Sequence, residues 1–146
     1  MKIEIIVGLF MILGLACLAY LAVNLGDVKL FGGNTYPLHA RFTSVSGLKE
    51  GSYVEAAGVR IGKVSNISFE TGNYLALVTM EIEDNVVVAE DATASIRTSG
   101  IIGDKFIKIS PGGSPDQLQP GGEIIETEPS INLEELISKY IFESGD

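Results

Sequence analysis

The spacing of apolar positions changes twice along this chain. "IIVGLFMILGLACLAYLAV", Ile5 to Val23, is 19 residues without a charge. At about 1.5 Å per residue it spans roughly 28 Å, close to the hydrocarbon thickness of a bilayer. A cleaved signal peptide usually has an apolar core of about 7–15 residues. A lipoprotein signal would carry a leucine three residues before Cys17, and here the apolar run continues past that cysteine. Length therefore favours an uncleaved transmembrane anchor over both rivals. The anchor is assigned to residues 1–24 and a polar, glycine-containing linker to 25–34. Lys2 favours an inside amino terminus, but Lys29 and Arg41 lie near the other end, so charge encodes orientation weakly.

From Thr35 the period becomes two. Tyr36, Leu38, Ala40 and Phe42 alternate with Thr35, His39, Arg41 and Thr43, which predicts a strand with one buried face. "YLALVTMEI" sets Tyr74, Ala76, Val78, Met80 and Ile82 on one face. "SYVEAA", "KVSNISF", "ATASIRT", "KFIKIS" and "GEIIET" read as further strands, with Ala94, Ile96 and Thr98 together in one and Ile107 and Ile109 in another. In "GVRIG", Gly58 and Gly62 are expected to bracket a tight reversal. Val64 and Ile67 fall out of phase, and a bulge near Asn66 would restore the register. Short strands with turns between them predict a small closed barrel or a sandwich.

At Asn132 the period becomes helical. Leu133, Leu136, Ile137, Tyr140 and Ile141 fall on one stripe. Asn132 and Glu135 have capping-box spacing, Ile131 and Leu136 have staple spacing, and Gly145 is a plausible stop. A helix this short is marginal alone in water, so its stripe must be covered. Either its own barrel covers it or other copies of the helix do.

The net charge is −9, and Lys2 cancels Glu4. From Asp116 to Asp146 there are eight acidic residues against Lys139 alone. Without basic clusters the chain is a poor nucleic-acid binder. The one cysteine, Cys17, cannot form an intrachain disulfide. No phosphate-binding glycine motif and no GxSxG stands in the sequence. His39 is the only histidine, and alternation gives it a surface or interface role. "EIED" (81–84) reads as a solvated turn. The chain is read as no enzyme, with no cofactor and no metal ligands.

One loop departs from the polar rule for turns. "SGIIGDK" holds Ile101 and Ile102 between Gly100 and Gly103, which permit positive φ and close backbone approach. The two isoleucines have three possible covers: the barrel, another copy of the chain, or lipid.

"GLKEGSYVEAAGVRIGKV" followed by "SIRTSGIIGDKFIKI" resembles the MCE domain. With the anchor before and "NLEELISKYIF" after, the resemblance spans nearly the whole chain. It points to the lipid-binding subunits of bacterial phospholipid ABC transport systems, which maintain outer-membrane lipid asymmetry. It implies a mainly β fold: an N-terminal transmembrane helix, a small seven-stranded β-barrel and a short C-terminal amphipathic helix. The barrel core would be residues 35–113, the final strand and connection 114–129, and the helix region 130–146. It also implies an inner-membrane anchor, a periplasmic domain and a homohexameric ring. The implied partners are ABC permease and ATPase subunits, a periplasmic lipid carrier protein and phospholipid. Gly100, Ile101, Ile102 and Gly103 match the family's pore loop, and Leu133, Leu136, Ile137, Tyr140 and Ile141 would line the channel beyond it. The competing reading is a membrane-anchored structural or adhesive β-domain without lipid transport.

Overall fold

The computed structural model describes residues 1–26 and 33–145, so the central part of the expected linker lies outside the described residues. The chain divides into two units, residues 1–33 and 34–146. The first holds helix α1, Lys2–Leu25, with a mean hydropathy of 2.6 over its most apolar window. That is long and apolar enough to cross a membrane. Glu4 in its first turn lies 2.9 Å from the terminal ammonium, and the Gly26 N–H closes its last turn on the Ala22 carbonyl.

The second unit is a β-barrel followed by a helix. Its strands are β1 (Thr35–Phe42), β2 (Tyr53–Ala56), β3 (Val59–Glu70), β4 (Leu75–Glu83), β5 (Thr93–Thr98), β6 (Lys105–Ser110), β7 (Glu123–Ile124) and β8 (Glu126–Glu128). Helix α2 is Leu133–Glu143. The strand order is β7-β1-β4-β3-β2-β6-β5-β8. β7 and β8 sit at opposite ends of that order, yet only Ile125 separates them in the chain. One short stretch thus pairs parallel with β1 through Ile124 and Ala40, then parallel with β5 through Thr127 and Ala94. The Thr127 hydroxyl also donates to the Arg41 carbonyl at 2.7 Å, so the two edges are drawn together. The count is eight strands rather than seven because "GEIIET" changes partner at Ile125, which points outward and is 71% exposed.

Alternation places the core as the pattern predicts. Leu38, Ala40, Phe42, Val78, Met80, Ile82, Ile107 and Ile124 are fully or almost fully buried. Each large one contributes about 1.5–3 kcal/mol by leaving water. The register between β3 and β4 shifts between Val64 and Asn66, where a bulge was expected. Three local readings change. Tyr74 is not on the strand face: it sits in the β3–β4 turn at φ +56°, exposed, in edge contact with Phe69. Gly62 does not flank a reversal, since the turn is confined to Ala57 and Gly58 and Gly62 pairs with Ile82 within β3. Glu81, Ile82 and Glu83 belong to β4 rather than to a turn, because Ile82 is fully buried and holds the strand in register.

Candidate functional site

The β5–β6 hairpin carries the isoleucine loop. Thr98 pairs with Lys105 at its base, and the Ser99 N–H donates to the Asp104 carbonyl at 2.9 Å. The two flanking glycines serve different needs. Gly100 adopts φ +71°, which L side chains rarely take. Gly103 has no positive φ, but a Cβ there would run into the Ser99 carbonyl oxygen. The backbone is thus held tight, and Ile101 and Ile102 stand 80% and 94% exposed at the tip. The barrel does not cover them.

Helix α2 starts beside this loop. The Ser130 N–H donates to the Ser44 carbonyl and its hydroxyl to the Ser46 carbonyl at 2.7 Å. The Lys105 ammonium donates to the Thr98 hydroxyl at 2.6 Å and to the Ile131 carbonyl at 2.8 Å. Residues 130–132 are therefore pinned between the loop after β1 and the hairpin base. Asn132 is the N-cap residue, but its amide donates to the Ser46 hydroxyl and, at 3.4 Å, to Glu135. The expected capping box is replaced by this tether, and the helix ends at a Ser144 C-cap, one residue before Gly145.

All five stripe residues, Leu133, Leu136, Ile137, Tyr140 and Ile141, are at least half exposed, as is Phe142. The barrel leaves the stripe at least half exposed. Between the loop and the start of the helix lies a cleft of about 710 Å³, bordered by Ile101, Ile102, Ile131, Leu133 and Leu136. The loop and the first turn of the stripe thus border one cleft, whose walls also include the polar Ser46, Thr98, Asn132 and Glu134. Lys105 also borders the cleft and was missed from the sequence. Its signal was parity: it falls in phase with the inward Ile107 and Ile109.

Elsewhere the polar groups are structural. Arg41 donates to Glu70 through two nitrogens and pairs with Glu123, strapping β1 to β3 and β7. The Arg41 guanidinium holds the Glu70 carboxyl below its usual range. The Ser114 and Gly113 N–H groups do the same for Asp91. Tyr36 donates to the Val86 carbonyl at 2.6 Å, and burial, with Asp84 nearby, raises its phenol pKa. His39 lies half-buried with Nδ1 3.1 Å from the Thr79 hydroxyl, beside Glu123 in the register of β1 and β7. Among the described residues no three His, Cys, Asp or Glu side chains converge as a metal site would need.

The sequence profile described as MlaD protein matches residues 34–112. The intermembrane phospholipid transport system binding protein MlaD of Haemophilus influenzae is 32% identical over 98% of this chain and 89% of its own length. The protein of the same name from Escherichia coli K12 is 32% identical over 99% of this chain and 84% of its own. A chain of the Acinetobacter MlaFEDB complex, solved in an ATP-bound conformation, superposes with a TM-score of 0.71 at 27% identity. That match covers 94% of this chain and 97% of the other.

Proposed function

The chain belongs to the MlaD family, and on that premise we propose that it is a membrane-anchored, lipid-binding subunit of an intermembrane phospholipid transport system. It serves as a binding and conducting component and not as an enzyme. The energy comes from partner ATPase subunits acting with an ABC permease, in keeping with the complex named for the superposed structure. Helix α1 anchors it in the inner membrane, and the barrel and α2 stand in the periplasm, where a lipid carrier exchanges cargo with them. Six copies form a ring. Residues 35–113 are the barrel core, 114–129 the closing strand and connection, and 130–146 the helix region.

One observation carries the reading. Ile101 and Ile102 are held out at the tip of a tight hairpin, and they border one cleft with Leu133 and Leu136 at the start of the exposed stripe of α2. A single chain leaves both apolar surfaces in water, and exposed contiguous apolar patches mark sites for partners or ligands. In a ring, the loops Gly100–Gly103 of all copies meet as an apolar collar that passes acyl chains and excludes ions. The helices extend that path, with Leu133, Leu136, Ile137, Tyr140 and Ile141 facing inward and Glu134, Glu135 and Glu143 facing water.

Native mass spectrometry of the detergent-solubilised full chain tests this directly. The expected species is a hexamer carrying phospholipid. A lipid-free monomer in that measurement would overturn it and leave the structural or adhesive β-domain.

A further inference from the structure

The cations of the barrel are handled in several ways: Arg60 lies over the Tyr53 ring, and Lys49, Lys63 and Lys108 make no ion pair among the described residues. Arg41 and Arg97 lie on the outer surface and are each paired with carboxylates, Glu70 and Glu123 for the first and Glu128 for the second. Lys105 sits half-buried in the wall of the cleft, its stem against the backbone of Gly47, where a Cβ would stand 3.0 Å from Lys105 Cγ. Its ammonium meets only neutral oxygens, those of Thr98 and Ile131. No carboxylate pairs with it among the described residues, although Glu134 borders the same cleft. The ammonium thus stands without an ion pair where the isoleucine loop meets the start of α2. Two of its three N–H bonds fix the hairpin base and the start of α2, and the third has no partner among the described residues.

We propose that Lys105 binds the phosphodiester of a glycerophospholipid whose acyl chains lie along Ile101, Ile102, Leu133 and Leu136. This rests on the lipid-binding reading above and adds to it the group that reads the headgroup. The charge complementarity is local: an anionic oxygen takes the third ammonium proton in a charge-assisted bond, beside a surface that takes the tails. A diacylglycerol fits the same apolar floor but leaves Lys105 unanswered.

The test uses the full chain in detergent with two probes, phosphatidylglycerol and diacylglycerol, both carrying the same acyl-chain fluorophore. The Lys105→Gln variant is expected to lower affinity for phosphatidylglycerol about tenfold more than affinity for diacylglycerol, the scale of a lost charge-assisted bond, since the lost tether to Thr98 and Ile131 is felt by both probes alike. Lys105→Arg is expected to restore the preference. An equal fall for both probes would make Lys105 a structural tether of α2 only and would overturn the proposal. An unchanged ratio would overturn it too. A wild-type chain that binds neither probe would remove this inference and the reading beneath it together, so the two failures are distinct. Should Lys105→Gln fail to fold, salt gives the same answer on the wild-type chain. The preference for phosphatidylglycerol is expected to shrink as ionic strength rises and diacylglycerol binding to stay level. A salt-independent preference would overturn the headgroup contact.

Discussion

Replacing Ile101 and Ile102 together by aspartate separates the loop's role in assembly from any role in the barrel. In the single chain the side chains are 80% and 94% exposed, so almost all of their burial energy is unrealised. At about 1.5–3 kcal/mol for each isoleucine, the pair holds roughly 3–5 kcal/mol per chain that only a cover outside the barrel can release. The double variant should therefore leave the barrel nearly untouched, since exposed positions usually change stability by no more than about 0.5 kcal/mol each. For a domain of this size 1 kcal/mol moves Tm by about 4–8 °C, so the two positions together should lower it by no more than about that. Lipid carried per chain, measured by mass spectrometry, should fall by at least about tenfold, because the collar would then present paired carboxylates to acyl chains. A Tm lower by about 15 °C or more would mean that the isoleucines are barrel core. A folded double variant with full lipid content would refute the collar.

Ile124→Ala should cost about 2–5 kcal/mol in urea unfolding, because Ile124 is fully buried on the two-residue strand that closes the barrel against β1; a loss under about 1 kcal/mol would show that β7 contributes little to the core. Gly103→Ala should lower bound lipid with only a small change in melting, since its Cβ meets the Ser99 carbonyl and the loop must rearrange; unchanged lipid content would mean that the loop's shape does not matter. Acid should weaken the barrel through Glu70 and Asp91. Both carboxyls are held below their ordinary values in the folded chain, so their contribution is complete above the carboxylate range and is lost as pH falls through the lowered values. Urea midpoints followed from pH 6 downward should fall below about pH 4, and Asp91→Asn should flatten that limb; equal acid sensitivity in the variant would clear Asp91.

Much of the fold was legible because its strands are half-buried and alternate. Leu38, Ala40 and Phe42 on one strand and Val78, Met80 and Ile82 on another follow strict parity, and the β3 bulge announced itself as a break in that parity. The errors fell where pattern is short or ambiguous. Tyr74 continues the parity of β4, but the hairpin turn takes it at positive φ, a backbone choice that apolar spacing does not encode. "GEIIET" reads as one strand, and nothing local says that it changes neighbour at Ile125, because parallel pairing with β1 and β5 is decided by residues about 84 and 33 positions away. At the site, the isoleucine loop stood out as an apolar turn. The tether did not. Asn132 is the N-cap residue and has the right spacing to Glu135, yet its side chain does not cap the helix: its amide donates to Ser46, 86 positions earlier, as well as to Glu135.

The closing stretch also dictates an order of events during synthesis. His39 meets Glu123, and Thr93 meets Glu126, only after the ribosome has extended the chain through both late partners. Until then β1 and β5 each present a bare row of backbone N–H and C=O groups, the kind of template on which nascent chains join one another. Contacts so distant in sequence form slowly. The six residues from Glu123 to Glu128 therefore act as a late latch, and the interval before they arrive is the window in which a chaperone has most to protect.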